Sequence, residues 1–207
     1  MARAETVENA PRRGRPRSET SRQAILAAAS ELLLQHGLSS ISMDAVAERA
    51  GVSKATIYRW WPSKELLALD AVFSDWEPAA QDTHDTGSLA GDLLSLIRPW
   101  ARQLASKPYA RVTAALINRA QDDPDFGREY RERFVQPRRE QARLIFKRAI
   151  GRGEIPRDTD IETALDLLYG PFYHRLLHGH APITEGFATT IIGYVLLALS
   201  ASESEPG

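Results

Sequence analysis

The sequence of 207 residues contains no cysteine. This absence excludes a disulfide framework, a thiolate nucleophile and a cysteine-based zinc site. Near the start of the sequence there is no apolar segment of the signal-peptide kind, and the longest apolar run, at 191–201, is too short to span a bilayer. We therefore expect a cytoplasmic protein that does not bind a membrane.

The sequence also lacks the short motifs of common catalytic sites: there is no G-x-S-x-G, no H-E-x-x-H and no glycine-rich phosphate loop. His174 and His178 are four residues apart on a predicted helix, close to His180, and could hold a metal ion. No carboxylate nearby in the sequence completes such a set, and histidines near a helix C-terminus are favourable without a metal. We predict no metal site and no cofactor, and we prefer a non-enzymatic function over a helical enzyme.

Strand-like alternation of apolar and polar residues does not persist anywhere, and no internal repeat is present. Helical periodicity predicts an all-α fold, in which a three-helix N-terminal domain precedes a helical C-terminal domain. The first helix is predicted at 19–36, with Gly37 after it. Later helices are predicted at 88–106, 109–120, 126–151, 159–178 and 184–202. Pro99 and Pro137 lie inside two of these segments and should kink or split them.

The segment from Ser42 to Lys64 has the spacing of a helix-turn-helix. Ser42 and Ser53 are each placed to cap the start of a helix, and Gly51 between the helices can adopt the positive φ that a short turn requires. Such a unit lays its second helix in the major groove of DNA. An ordinary αα-hairpin in a helical core is the alternative, and the outward residues and the preceding chain favour the DNA-binding one.

Positive charge is concentrated before and within this motif, although the net charge of the chain is −1. Residues 1–66 contain ten Lys and Arg against seven Asp and Glu, whereas the remaining residues contain sixteen against twenty. A basic N-terminal part on an acidic body suits a protein that binds a polyanion. Residues 1–18 are predicted to be a disordered basic arm, because they contain few apolar residues. Either this arm is a solvated tail, or its arginines enter the minor groove, with Arg13, Arg15 and Arg17 as candidates.

The order of these elements resembles the N-terminal domain of the tetracycline-repressor (TetR) family of transcriptional regulators. The matching features are the 25–33 helix, Gly37, the 42–50 helix, GVSKATIYRWW at 51–61 and Ser63-Lys64-Glu65. Trp60 and Trp61 depart from the family pattern, in which a His or Tyr is often followed by Phe. The segment LLYGPFYHRLLHGHAPIT at 167–184 also resembles the C-terminal ligand-binding and dimerisation domain of one TetR subgroup.

The resemblance implies a DNA-binding domain at 19–79 with its motif at about 42–61, an effector-binding and dimerisation domain at 80–202, and a tail at 203–207. It assigns the groove-facing positions to Ser53, Lys54, Ala55 and Thr56. It assigns phosphate contacts to Ser42, Tyr58 and Lys64, and a base or phosphate contact to Arg59 or Trp60. The implied function is a ligand-responsive repressor that binds a palindromic operator in double-stranded DNA as a homodimer and is released by a small-molecule effector.

Aromatic and apolar residues in the C-terminal half recur at helical spacing and could line an effector cavity, although such residues more often form a core. The candidates are Trp100, Leu104, Leu116, Phe126, Tyr130, Phe134, Phe146 and Tyr169.

The last two predicted helices carry wide apolar stripes, which either are buried within one chain or pack against a second copy as a four-helix bundle. The candidate interface residues are Ile161, Leu165, Leu168, Phe172, Ile191, Val195 and Leu199. A helical adaptor that binds a protein partner is a further alternative; the basic arm and the polar Lys54–Arg59 face argue against it.

Overall fold

The structure of the protein is a computed structural model, and it describes residues 15–74 and 85–201. These two ranges contain ten α-helices, one π-helical turn and no strand, so the all-α prediction is confirmed. No helix within them combines the length and the hydropathy needed to cross a bilayer. The helices are α1 (Arg15–His36), α2 (Met43–Ala50), α3 (Lys54–Tyr58), α4 (Lys64–Phe73), α5 (Leu89–Ala105), α6 (Lys107–Asp122), α7 (Pro124–Tyr130), α8 (Gln136–Arg152), α9 (Ile161–His178) and α10 (Glu185–Ala201).

Helices α1 to α4 form an N-terminal unit in which α1 packs against both α2 and α4. Its core is made of aliphatic side chains with no solvent exposure: Ile25, Ala29, Leu33, Val46, Ile57, Leu67 and Ala68. Helix α1 begins at Arg15, four residues earlier than predicted, so residues 15–18 of the predicted disordered arm are helical. Pro16 is compatible with this start because the first turn of a helix does not need its missing N–H group. Residues 1–14, with Arg13, and the tail at 203–207 lie outside the described residues.

Helices α5 to α10 form a C-terminal body, in which α5 packs against α6, α8 and α10, and α9 packs against α8 and α10. Asp92 lies at the start of α5 and is 1% exposed. Its carboxylate accepts hydrogen bonds of 2.7 Å from both the backbone N–H and the hydroxyl of Thr86, and lies 3.3 Å from Arg152 of α8. Burial alone would raise the pKa of Asp92, but these hydrogen bonds and the neighbouring Arg148 hold that pKa below its ordinary value. The ion pair therefore ties the start of α5 to the end of α8.

The two internal prolines named above behave differently. Helix α5 continues through Pro99 without interruption, so this proline does not split it. The helix predicted at 126–151 is divided into α7, a π-helical turn at Arg131–Val135, and α8, which has Pro137 in its first turn. The N–H of Gln136 donates to the carbonyl of Arg131, the i→i−5 bond of a π-helix. Pro137 has no N–H group to continue the regular ladder, which accounts for the change at this point.

The N-terminal unit and the C-terminal body are joined where α4 packs on α6 and α7 and where α1 packs on α6. Phe73, at the end of α4, stacks on Phe134 of the π-helical turn with ring centroids 3.6 Å apart. Arg133 of the same turn lies 3.3 Å from Asp70 of α4. Arg111 of α6 donates to the carbonyl of Leu34 at the end of α1. Rings, charges and backbone groups thus connect the two parts at three places.

Candidate DNA-binding surface and effector region

The sharp turn between α2 and α3 is built by two caps and one glycine. Ser42 Oγ accepts the N–H of Ala45 and Ser53 Oγ accepts the N–H of Thr56, both at 3.2 Å, so the two predicted caps are confirmed. Gly51 has φ of 64°, in the left-handed region, where a side chain would strain the backbone. Helix α3 has only five residues, too few to be stable alone, and its position depends on packing against α2.

The outward face of α3 carries the residues expected to meet DNA. Ile57 is fully buried and Trp61 is 2% exposed, and these two anchor the segment to the core. Between and beside the anchors, Tyr58 is 47% exposed and Trp60 is 40% exposed. Thr56 and Lys64 are half-buried. The other predicted contact residues on this part of the chain are exposed: Ser42, Ser53, Lys54, Ala55 and Arg59. One polar face is therefore presented to solvent by a buried apolar base.

Lys54 is held in place on this face by an acidic partner on α2. Its Nζ lies 2.9 Å from Oδ2 of Asp44. The hydrogen bond and the charge of Asp44 both raise the pKa of Lys54, so the ammonium group stays charged. Sequence reasoning missed Asp44, because a contact ten residues away is not indicated by helical spacing. Ser53 and Thr56 also share a hydrogen bond of 2.8 Å between their hydroxyl groups.

Trp61 links the end of α3 to the rest of the molecule. Its Nε1 donates to Oδ2 of Asp70 at 2.8 Å, and the guanidinium of Arg22 lies 5.9 Å from its ring. Asp70 also interacts with Arg133 of the C-terminal body. Trp61 is therefore a core residue, whereas its neighbour Trp60 is exposed. Asp70 and Arg133 were not singled out from the sequence, because nothing local marks a contact across 63 residues.

The eight predicted effector residues lie in a packed interior of the body instead of lining an open chamber. All eight are buried, and their rings touch: the Trp100 and Tyr169 centroids are 5.4 Å apart, and those of Tyr130 and Phe134 are 5.3 Å apart. The cavity bordered by Trp100 and Tyr169 has a volume of 10 Å³, too small for an organic molecule. Phe126 borders a separate groove of about 330 Å³ between α4 and the α6–α7 corner. Apolar side chains at helical spacing close on one another unless a ligand separates them.

A charged residue that the sequence analysis did not name lies among these rings. Arg138 of α8 is 4% exposed, and its guanidinium carbon is 4.0 Å from the centroid of Phe134. A sequence signal existed, because Arg138 occupies the buried face of its helix between Phe134 and Ala142 at steps of four residues.

The predicted dimer interface has to be corrected, because its residues pack against the protein's own core. Leu165, Leu168 and Phe172 have no exposure, and Ile161 is half-buried. The α10 residues Ile191, Val195 and Leu199 are 3% to 9% exposed. Helix α10 packs on α5, which takes up this face. The outward faces of α9 and α10 carry other large apolar side chains, between 49% and 67% exposed: Leu167, Leu177, Tyr194 and Leu197. The sequence correctly predicted wide apolar faces on α9 and α10. The dimer interface was assigned to the face that the protein's own core covers, and that assignment was wrong.

The three histidines near the end of α9 contact one another. The ring centroid of His174 is 4.7 Å from that of His178 and 4.9 Å from that of His180. Within residues 15–74 and 85–201, no group of three His or acidic side chains is arranged to hold a metal ion.

Comparison with known proteins agrees with the two-part architecture. Residues 25–71 match the family described as bacterial regulatory proteins of the tetR family, and residues 83–195 match the tetracyclin repressor-like C-terminal domain. The chain is 40% identical over 184 residues to an uncharacterised HTH-type transcriptional regulator of Bacillus subtilis, YdeS, covering 87% of this chain and 90% of that protein.

Two further relatives align with this chain over similar shares of both sequences. The DNA-binding transcriptional repressor TetR of Mycobacteroides abscessus is 33% identical over 189 residues, which cover 88% of this chain and 95% of the repressor. The crystal structure of the TetR family transcription regulator SCO0332 superposes with a TM-score of 0.72 at 36% identity, covering 85% of this chain and 96% of that one. The two matched domains and these full-length relatives show that the chain belongs to the TetR family of transcriptional regulators, with an N-terminal DNA-binding domain.

Proposed function

We propose that the protein is a ligand-responsive repressor that binds a palindromic operator as a homodimer and is released by a small-molecule effector. The observation that carries the DNA-binding part is the exposed polar face of α3, fixed from beneath by Ile57 and Trp61. Repression is supported by the M. abscessus relative, which is a DNA-binding transcriptional repressor.

The proposed division of contacts follows the chemistry of each side chain. Ala55 and Thr56 suit direct contact with base edges, because a methyl group packs well on the methyl of thymine. Tyr58 and Lys64 suit phosphates, since a hydroxyl on a rigid ring and a point charge both bind an anionic oxygen without reading sequence. Lys54 is paired with Asp44 in the free protein, so its contact with DNA requires a phosphate or base to replace that carboxylate. Arg15 and Arg17 at the start of α1, Arg13 before it, and Arg59 and Trp60 after α3 complete the proposed surface.

The operator proposal is tested by selecting bound fragments from genomic DNA and then measuring affinity for the selected operator by fluorescence anisotropy. Tyr58→Phe and Lys64→Ala should weaken binding to operator and to unrelated DNA alike, and Lys64→Ala should reduce the salt slope by about 1. Thr56→Val should instead change which operator is preferred. The matched control is Lys147→Ala, because Lys147 is an exposed lysine on α8, far along the chain from the motif. An unchanged salt slope in Lys64→Ala, or an equal change in Lys147→Ala, would contradict the phosphate assignment.

The homodimer proposal rests on the outward apolar side chains of α9 and α10. Two recognition helices must enter successive major grooves, about 34–36 Å apart, for a two-fold protein to read a palindrome. Leu197 and Tyr194 are 67% and 65% exposed on α10, and a second copy would cover them in a four-helix bundle. Leu197→Glu should therefore give monomers in sedimentation-velocity experiments and lose the palindrome preference. Leu144→Glu on α8, where Leu144 is 43% exposed, is the control and should remain dimeric.

The effector part of the proposal depends on the joint between the two domains. Phe73 and Asp70 on α4 contact Phe134 and Arg133 of the π-helical turn, so a displacement in the body has a direct contact through which to move α4. A coupling of about 1–3 kcal/mol between ligand and operator is typical of such systems. A screen of small apolar compounds for operator release, in which no compound loosens the complex, would count against this part.

A further inference from the structure

Arg138 is a buried charge that the DNA-binding surface does not explain. Its guanidinium carbon lies 4.0 Å from the ring centroid of Phe134, 5.2 Å from that of Trp100 and 5.5 Å from that of Phe73. A guanidinium stays protonated at any pH a protein encounters, so the charge cannot be removed to ease burial. Aromatic faces attract the cation, but each contributes only about 0.5–2 kcal/mol. Placing a permanent positive charge in this interior is therefore costly unless it serves a purpose.

Three tyrosines lie around Arg138. The hydroxyl of Tyr169 donates to the carbonyl of Arg138 at 3.0 Å, and Tyr130 and Tyr173 lie close enough to the guanidinium to interact with its charge. Burial raises the pKa of all three tyrosines above the ordinary value, even though the charge of Arg138 acts in the opposite direction. The hydroxyl groups therefore stay neutral at physiological pH. Neutral hydroxyl groups interact with the arginine but carry no charge opposite to its own.

A further buried donor belongs to the same interior. Nε1 of Trp100 has no hydrogen-bond partner among the described residues, and its side chain is 4% exposed. Trp100 borders the small cavity together with Arg138 and Tyr169. A buried polar group without a partner costs about 1–3 kcal/mol, so native proteins rarely keep one without reason. The interior thus combines a cation, an unused N–H donor and several aromatic walls.

We propose that the aromatic cluster of Trp100, Tyr130, Phe134, Arg138, Tyr169 and Tyr173 binds an apolar organic acid, with its carboxylate on Arg138 and its hydrocarbon part between the rings. The regulatory consequence of this binding rests on the proposed function above. An arginine holds a carboxylate through two parallel hydrogen bonds, and the indole N–H adds a third donor. Flat aromatic walls favour a planar hydrocarbon body over a polar one.

Entry of the acid replaces contacts that the structure now contains. The cavity beside Arg138 measures 10 Å³, so the rings and the guanidinium must separate to admit a ligand. The carboxylate then lies against the guanidinium of Arg138, beside Tyr173. Phe134 lies against the guanidinium and also stacks on Phe73 of α4 at 3.6 Å, so its displacement is transmitted to the DNA-binding domain.

The test compares an acid with its neutral isostere on the DNA-free full chain. Titration calorimetry with 2-naphthoate and with 2-naphthamide should show binding of the acid about tenfold tighter than the amide. Arg138→Gln should abolish this preference while leaving amide binding unchanged. Arg139→Gln is the matched control: it removes the same charge one residue later, from a side chain that pairs at the surface with Glu162 and Asp166. It should keep the preference.

Three results would overturn the proposal: equal affinity for acid and amide, an equal loss in the two arginine variants, or no binding of the acid below about 1 mM. If Arg138→Gln fails to fold, Trp100→Phe keeps an aromatic ring but loses the N–H donor and the five-membered ring of the indole. It should weaken acid binding more than amide binding, because a hydrogen bond to a carboxylate is stronger than one to a neutral amide; equal effects on both ligands would count against the proposal. Operator affinity is measured separately with and without 2-naphthoate. Acid binding without operator release would overturn the effector part of the proposed function and leave the ligand assignment standing.

Discussion

The DNA-binding domain carries its polar residues outside an apolar core, whereas the C-terminal body also has charged residues inside its core. In the DNA-binding domain the polar side chains of α3 lie outside, while Ile57 and Trp61 lie beneath them. In the body Asp92 and Arg138 are 1% and 4% exposed and are surrounded by partners and rings. Outer residues can change without disturbing the core, whereas buried charges are part of it. The first region is therefore suited to varied surface recognition, and the second to selecting one interior occupant.

The largest expected effect is on stability, and it distinguishes the adjacent residues Trp60 and Trp61. Trp61→Ala should lower the free energy of unfolding by about 3–5 kcal/mol, because it removes a buried ring and the hydrogen bond to Asp70. Trp60→Ala should change that free energy by less than about 0.5 kcal/mol, since Trp60 is an exposed side chain. Urea denaturation followed by circular dichroism measures both. Equal losses would show that the outer face of α3 is part of the core.

The next comparison concerns one buried and one exposed carboxylate. Asp92→Asn should lower the free energy of unfolding by about 1.5–3 kcal/mol at neutral pH, because it removes the charge of a buried carboxylate that accepts hydrogen bonds from Thr86 and lies 3.3 Å from Arg152. Asp44→Asn, at the exposed pair with Lys54, should leave stability unchanged.

The contribution of Asp92 also has a defined pH dependence. Its pKa is lowered in the folded protein, so its stabilisation is complete above the unfolded value of about 3.9 and is lost as pH falls through the lower folded value. The difference in thermal stability between wild type and Asp92→Asn should therefore be constant near neutrality and shrink below about pH 4. A difference that stays constant down to acid pH would show that the carboxylate charge is unimportant.

The smallest effect concerns the contact that joins the two regions. A double-mutant cycle with Phe73→Leu and Phe134→Leu should give a coupling of about 1 kcal/mol, the usual strength of an aromatic pair. The same cycle on the Phe172 and Phe187 pair, which lies within the body and outside the proposed ligand site, is the control. Only the first cycle should also alter how strongly a ligand of the body affects operator binding. A coupling near zero for the Phe73 and Phe134 pair would show that the domains communicate elsewhere.

Local signals in the sequence were sufficient for the DNA-binding domain. Two serines, one glycine and their spacing predicted the caps and the turn, because cap and turn chemistry depends on neighbours only a few residues away. Contacts across long sequence distances were missed, as with Asp44 and Lys54 or Asp70 and Arg133. The dimer residues were wrong because periodicity shows that a helix has apolar faces but not which face its own chain covers. Arg138 was overlooked because charged residues are assumed to lie outside.

The π-helical turn at Arg131–Val135 amounts to one extra residue in an otherwise regular helix. In a strict α-helix each step of four residues turns the side chain by about 40°, so four steps from Phe126 to Ala142 would rotate the face by about 160°. The wider turn slows this rotation, and Phe126, Tyr130, Phe134, Arg138 and Ala142 are all buried. Deletion of one residue from this turn would rotate α8 by about 100° about its axis and move Arg138 to the surface. One extra residue thus decides whether the charge of Arg138 lies inside the body or on its surface.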